Sequence, residues 1–180
     1  LDQTLVILRH RLRDVEVHVV PTSCVVRRGT VDAVPAVTES VLTMAPWSRY
    51  AVDPRFGLDA ARRMHMAWVD RAVHCTTGEH DLMVAVDDGE VVAFLTRTRD
   101  PLPIINTVGT IAPGTGAADA LFAESREWAR PRPISAGWAA SRNIGIYRFL
   151  DRCGFVAAEV KYHYHRWLAE DPSPTGRTAP

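Results

Sequence analysis

The apolar residues of this 180-residue chain recur at two spacings, the period of two typical of β-strands and the 3.6-residue period of α-helices. The turn sequence Asp87-Asp88-Gly89-Glu90 lies between two short apolar runs and gives the clearest hairpin signal in the chain. The pattern predicts strands over six segments: residues 24–28, 82–86, 91–97, 104–111, 134–138 and 157–168.

Helices are predicted between these strands, over residues 30–44, 59–72, 116–129 and 142–152. In the second of these helices, four residues follow helical spacing: Ala60, Met64, Trp68 and Ala72. Residues 45–57 hold two prolines and are predicted to form a loop. Strands that first pair locally and then alternate with helices indicate an α+β or mixed α/β domain.

The chain divides into three parts by its patterning. Residues 1–22 form an N-terminal extension with two β-prone runs, 4–8 and 15–20. Residues 23–170 are expected to form one domain, a size that can bury a substantial core. Residues 171–180 are rich in Pro, Ser, Thr and Gly, and this composition is typical of a disordered tail.

Composition and charge exclude several classes of protein. The chain has 21 basic and 21 acidic residues, so no overall field favours nucleic acid or an anionic membrane. No apolar run is long enough to span a bilayer, and no membrane association is expected. The three cysteines are odd in number and far apart, which argues against a disulfide framework and favours the reducing cytoplasm.

A glycine-bearing turn follows the predicted strand at residues 104–111 and leads into a helix. Free backbone N–H groups converge at the start of a helix, where they can hold an anion such as a pyrophosphate. Small residues there would let phosphate oxygens approach closely. A tight connection without a ligand remains the alternative. The candidate phosphate-binding residues are Gly114, Thr115, Gly116, Ala117 and Ala118.

Three separated segments, in the same order, resemble the GNAT acyltransferase superfamily. Residues 141–155 are similar to its last helix and turn, N-x-x-A-x-x-x-Y-x-K-x-G-F, with matches at Asn143 and at Cys153-Gly154-Phe155. The glycine-bearing turn resembles the family's phosphate loop, R/Q-x-x-G-x-G/A, with Gly116 and Ala118 at its last two defined positions. Residues 48–54 and the later Trp68 are similar to the branch that acetylates amino sugars on nucleotide carriers.

The resemblance implies a twisted mixed sheet, flanked by helices and splayed open between its fourth and fifth strands. It implies acetyl-CoA or another acyl-CoA as co-substrate, no metal, and a small-molecule amine as acceptor, with an amino sugar favoured by the resemblance at residues 48–54. The backbone N–H of Val108 would polarise the thioester carbonyl, the turn at Gly114–Ala118 would cradle the pyrophosphate, and Asn143 would contact the pantetheine arm.

This chain departs from the family pattern at two positions. Pro113 stands where the phosphate loop has Arg or Gln, and Leu150 stands where a tyrosine often protonates the leaving thiolate. Tyr147, one helical turn earlier, is the candidate acid in its place. The changed loop leaves open an acyl donor on a tRNA or a carrier protein. A non-catalytic GNAT-like binding domain is a further alternative, and a homodimer is possible.

Groups for proton transfer and acceptor binding are chosen by residue type. The candidate general bases are Glu79, His80, His163 and His165. His163 and His165 alternate on one strand, a spacing that could suit a metal, but no third ligand is identifiable and no metal is expected. Arg49 and Asp53, in the predicted loop, are the candidate substrate-binding residues.

Overall fold

The computed structural model describes residues 3–10, 20–99, 101–140 and 143–163. These residues form seven strands: β1 (Gln3–His10), β2 (Val25–Arg28), β3 (His80–Asp87), β4 (Glu90–Thr98), β5 (Ile104–Thr110), β6 (Ser135–Ala140) and β7 (Phe155–His163). The helices are α1 (Val34–Met44), α2 (Arg49–Val52), α3 (Gly57–His74), α4 (Ala117–Ala129) and α5 (Ile144–Arg152). Single 3-10 turns occupy Val31–Ala33 and Ala45–Trp47. No helix of the described residues is both long and apolar enough to cross a membrane.

The strands form one mixed sheet in the order β2-β3-β4-β5-β6-β1-β7. All neighbouring strands are antiparallel except β5 and β6, which are parallel. Alternation along β3 shows how both faces are covered, because successive side chains of a strand point to opposite faces. Leu82 and Val84 pack with α1 and α3, whereas Met83 and Ala85 pack with α4 and α5. The sheet is therefore buried between two helical layers.

The N-terminal strand lies inside the sheet. β1 pairs with β6 on one side and with β7 on the other, so residues 3–10 separate the two C-terminal strands. Residues 11–19 fall outside the described part, as do residues 164–180, which include the end of the predicted last strand and the predicted tail. The division at residues 22 and 170 therefore stays a prediction.

The predicted hairpin is confirmed. Asp87 pairs with Glu90, and the two residues between them, Asp88 and Gly89, have φ angles of 48° and 86°. Positive φ at both central positions is the conformation that matches the right-handed twist of two antiparallel strands. The turn sequence thus fixes the pairing of β3 with β4.

Two expectations about the segment before the hairpin are wrong. Residues 45–57 contain the short helix α2, and α3 begins at Gly57 instead of residue 59. The buried face of α3 consists of Ala61, His65, Val69 and Ala72, and in its first three turns it lies one residue away from the other set at helical spacing, Ala60, Met64 and Trp68. Both periodic sets have helical spacing, and the buried one is selected by its contact with β3 and β4.

The sheet opens between β5 and β6, which correspond to the fourth and fifth strands predicted from residue 24 onward. The predicted splay is therefore confirmed. The two strands pair only at Ile104↔Ser135 and Ile105↔Ala136. At the same point the register between β4 and β5 shifts, with Thr107 opposite Thr96 but Ile105 opposite Arg97, so Asn106 is an extra residue on β5. A bulge bends the strand that contains it. The bulge at Asn106 therefore accompanies the departure of β5 from β6.

Candidate active site

A cleft of about 450 Å³ lies where β5 and β6 separate. One wall comes from the layer of α1, α2 and α3, and the opposite wall comes from α4, α5 and β6. The first wall includes Met44, Trp47, Tyr50, His65 and Trp68, and the second includes Phe122, Ala136, Ile146 and Leu150. Since these residues come from both faces of the sheet, the cleft passes through it.

The backbone N–H of Val108 faces this cleft. Ile111 donates its N–H to the carbonyl of Val92 on β4 at 2.8 Å, and the amides of a strand point alternately to its two sides. The N–H of Val108, three residues earlier, therefore points away from β4 and toward the gap left by β6. Val108 itself is half-buried and lines the cleft.

The candidate phosphate turn directly follows β5. Gly114 and Gly116 have φ angles of 88° and 73°, and Gly116 is the N-cap of α4. The first N–H groups of a helix have no intrahelical partner. In this turn the Ala117 N–H contacts the hydroxyl of Thr115 at 3.4 Å. A Cβ placed on Gly114 would meet no atom within 4 Å, so this side of the turn is open to a ligand.

The chain segment before β2 closes the other side of the turn. The Thr22 hydroxyl donates to the carbonyl of Thr115 at 2.6 Å. A Cβ placed on Gly116 would lie 3.2 Å from the carbonyl oxygen of Val20 and 3.3 Å from that of Pro21. Glycine is therefore required at position 116 by its positive φ and by this close approach together.

Several polar side chains line the wall of the cleft near β4. His80 Nδ1 lies 3.1 Å from the hydroxyl of Thr98, which also accepts a hydrogen bond from Asn106 Nδ2 at 2.6 Å. His65 and Thr96 are buried beside the same cavity, and neither side chain has a hydrogen-bond partner among the described residues. The sequence patterns assigned no role to His65, because a lone histidine on a helix face does not differ from a core histidine.

The comparisons with known proteins place this geometry in a fold family. No protein-family model matches the chain. The spore coat polysaccharide biosynthesis protein SpsD of Bacillus subtilis is 28% identical over 148 residues, which cover 76% of this chain and 50% of SpsD. An acetyltransferase of the GNAT family from Streptococcus pneumoniae is 13% identical with a TM-score of 0.51, covering 74% of this chain and 84% of that one. AAC(6')-Iy in complex with the bisubstrate analog CoA-S-monomethyl-acetylneamine is 14% identical with a TM-score of 0.54, covering 82% of this chain and all of that one.

This protein has the GNAT fold. The structural matches confirm the resemblance that the three sequence segments predicted, and at these identities they establish the fold alone. The chain spans about half the length of SpsD, the curated relative that it matches.

Asn143, the first matched residue of the GNAT helix motif, is the N-cap of α5 and lines the cleft. Its Oδ1 accepts a hydrogen bond from the Ile146 N–H at 3.3 Å. The capping bond fixes the side chain and uses its Oδ1, so the two N–H donors of the amide Nδ2 are the groups that could contact a ligand. Contact between this amide and a pantetheine arm stays a prediction.

Tyr147 does not line the cleft, although Leu150 does. The tyrosine is half-buried and packs against the core of the α4 and α5 layer, and this burial raises the pKa of its phenol. Leu150 is 2% exposed and has no group that can donate a proton. The GNAT cleft of this chain thus has an aliphatic side chain at the position where the family often has its acid.

Asp53, one of the two predicted acceptor-binding residues, lies outside the cleft. Asp53 is buried in the turn between α2 and α3, where its Oδ1 accepts from the Arg55 N–H at 2.9 Å and its carbonyl accepts from the Gly57 N–H at 2.9 Å. It is absent from the lining of the cavity. Arg49 begins α2, and its side chain lies outside the described part.

Of the candidate general bases, His80 lines the cleft and Glu79 does not. The side chain of His163 and the whole of His165 fall outside the described residues. Within the described part of the chain, no three side chains of His, Cys, Asp or Glu are grouped so that they could hold a metal ion.

Proposed function

We propose that this protein is an N-acyltransferase that moves an acetyl or other acyl group from acyl-CoA to the primary amine of a small molecule. The observation that carries this proposal is the cleft through the sheet, with the N–H of Val108 directed into it. A backbone donor at this place would stabilise the oxyanion that forms when an amine attacks a thioester carbonyl.

The donor side of the cleft supports a CoA thioester. The turn at Gly114–Ala118 comes after β5, the strand that contains Val108, and leads into α4. Its small residues and the N-terminus of the helix suit a diphosphate. The apolar side chains of Phe122, Ile146 and Leu150 would line the path of the pantetheine arm. Transfer is direct in this scheme, so no nucleophilic side chain is required.

The acceptor side of the cleft carries aromatic side chains. Trp47 and Trp68 are 55% and 40% exposed at its wall, and Tyr50 lies beside them. Exposed aromatic faces offer large, rigid contact area to the ring of a ligand. An amino sugar fits this surface, and the likeness to a protein of spore coat polysaccharide biosynthesis agrees with it. We further propose that the protein works in the cytoplasm, as its unpaired cysteines favour.

Calorimetric titration with acetyl-CoA tests the donor side of the cleft by comparing two variants of Ala118 that carry opposite charges. Ala118→Asp places a carboxylate in the first turn of α4, where it repels a diphosphate, so the affinity should fall about tenfold or more. Ala118→Lys should bind as well as the wild type or better. The helix dipole has the opposite effect on the free energy of unfolding, because it favours Asp over Lys in this turn by about 0.3–1 kcal/mol. Affinity and thermal stability should therefore change in opposite directions.

Equal affinity of both Ala118 variants for acetyl-CoA would contradict the placement of the diphosphate at this turn. If folded wild-type protein does not bind acetyl-CoA, the exposed Pro113 becomes the informative residue, because it supplies no donor to the turn. The donor would then be an aminoacyl-tRNA or a carrier-protein thioester, and titration with these compounds follows. Turnover with any donor would exclude a binding domain without catalysis.

Trp47→Ala tests the acceptor side. Loss of one stacking surface should raise KM for an amino-sugar acceptor about tenfold, with kcat little changed, because the side chain contacts the acceptor equally in the ground and transition states. Steady-state kinetics with a panel of amino sugars measures both constants. Leu102→Ala is the control, since Leu102 is similarly exposed but lies outside the cleft. A tenfold rise in KM in both variants would contradict the proposed contact between Trp47 and the acceptor.

A further inference from the structure

Two buried polar side chains on the acceptor side of the cleft have no hydrogen-bond partner in the described part of the chain. His65 is 9% exposed, and neither of its ring nitrogens makes a hydrogen bond with a described residue. Thr96 is 3% exposed, and its hydroxyl is likewise unpaired. Both residues line the cavity, and buried polar groups without partners are uncommon in folded proteins. Their missing partner is therefore expected to be a molecule that occupies the cleft.

The position of His65 on α3 also indicates a ligand. The other three buried residues of this helix, Ala61, Val69 and Ala72, are apolar, and two of them pack in the core against β3 and β4. An apolar side chain at position 65 would complete this face without leaving buried nitrogens unpaired. The imidazole instead packs nearly perpendicular to the Trp68 ring, with 5.0 Å between the ring centroids.

Thr96 lies close to the oxyanion position along β4. It pairs with Thr107, directly beside the pair Leu95↔Val108. Thr98, the partner of His80, is two residues further along β4 and beyond the bulge, a separation of about 7 Å along the strand. His80 already has a contact for Nδ1, whereas the ring nitrogens of His65 and the hydroxyl of Thr96 have no partner among the described residues, so the attacking amine is expected to meet these groups.

We propose that His65 accepts the proton of the acceptor ammonium and that the hydroxyl of Thr96 holds the amine beside it. This assignment rests on the proposed acyl transfer. The proton leaves the ammonium for one ring nitrogen of His65, and the freed lone pair forms the C–N bond to the thioester carbon. The C–S bond then breaks, and the second proton passes from the amide nitrogen to the departing thiolate. His65 releases its proton to solvent, so one ammonium and one thioester give one amide, one thiol and one proton.

The environment of His65 suits this task. Burial lowers the pKa of its imidazole below the ordinary value of 6.5, so the ring is neutral at pH 7 and can take up a proton. Among the described residues, the other titratable or charged groups that line the same cavity are Tyr50, Arg71, His80 and Arg97.

The test compares His65→Gln with the wild type on two kinds of acceptor. Glutamine keeps a polar side chain at the site but takes up no proton near pH 7. The primary-amine panel is glucosamine, galactosamine and ethanolamine, which are largely protonated at that pH, and hydroxylamine serves as an acceptor that is already neutral. We expect kcat/KM to fall about 100-fold with the best amine of the panel, in line with general base catalysis, and less than tenfold with hydroxylamine.

The controls separate proton transfer from structural damage. The affinity for acetyl-CoA should be unchanged in His65→Gln, and His74→Gln, on the exposed side of the same helix, should behave as the wild type. Thr96→Val, which removes only the hydroxyl, should lower kcat/KM about tenfold with every acceptor.

Three outcomes would overturn the assignment of His65. These are wild-type activity in His65→Gln, an equal loss with hydroxylamine and with the other amines, or a loss in His80→Gln alone. A wild-type protein that acetylates no amine of the panel would instead contradict the proposed function, and the assignment of His65 would fail with it.

Discussion

Val108→Pro is expected to lower kcat by about 100- to 1000-fold while leaving the affinity for acetyl-CoA within a few-fold of the wild type. Proline removes one backbone N–H and nothing else that could bind an oxyanion. Loss of a single such donor has an effect of this size, because it acts on charge that develops only in the transition state. The N–H of Val108 points away from β4, so the substitution breaks no hydrogen bond of that ladder.

Thr110→Pro is the matched control for this experiment. Thr110 lies two residues further along β5, so its N–H has the same direction as that of Val108, and its side chain is exposed. The strain of a proline in this strand should be similar in both variants, and thermal melts can verify that both are folded. If Val108→Pro kept its turnover, the oxyanion would have to be stabilised elsewhere. An equal loss in both variants would show that distortion of β5, and not the missing donor, lowers the rate.

The parts of the fold that depend on local sequence could be predicted from the chain. The hairpin at Asp87–Glu90 follows from two residues that accept positive φ. The turn between β5 and α4 follows from Gly114 and Gly116, whose conformation other residues rarely adopt. Such signals lie within a few residues of one another, so no knowledge of tertiary packing is needed to interpret them.

The parts that depend on distant contacts could not be predicted in the same way. The β-prone residues 4–8 gave no sign that β1 would lie between β6 and β7, because strand order is decided by pairing over more than 120 residues. The buried face of α3, which includes His65, could not be identified from the sequence for a related reason. Two sets of residues shared the helical period, and only contact with the sheet distinguished them.

The other differences between the predicted and the observed site arose because residues were chosen by chemical type, without knowledge of their position in the fold. Tyr147 was chosen because it can donate a proton and stands one turn before Leu150, yet Leu150 faces the cleft and the tyrosine packs in the core. Asp53 was chosen as a carboxylate in an acceptor-side loop, and the structure shows it holding the turn before α3. Both cases show that a side chain must be placed on a wall of the cleft before its chemistry supports a role.

Ala136→Phe is expected to reduce the affinity for acetyl-CoA at least 100-fold by filling the gap through which the pantetheine arm would pass. Ala136 is 4% exposed, lines the cleft and forms the last pair between β5 and β6, opposite Ile105. An aromatic ring there would occupy the space that opens just beyond this pair. Overfilling a packed site typically costs about 1–3 kcal/mol of stability, so the variant should melt earlier than the wild type but remain folded at 25 °C.

Ala136→Ser is the matched control, since it changes the polarity of the site with little change in volume and should bind acetyl-CoA within a few-fold of the wild type. Calorimetry on both variants distinguishes an obstructed cleft from a weakened fold. Undiminished binding by folded Ala136→Phe would mean that the donor does not enter between β5 and β6. The N–H of Val108 would then face a cavity that the thioester does not reach, and both the oxyanion position and the assignment of His65 would have to be abandoned. Loss of binding in the phenylalanine variant alone would tie the donor to the opening that begins at Ala136 and contains Val108.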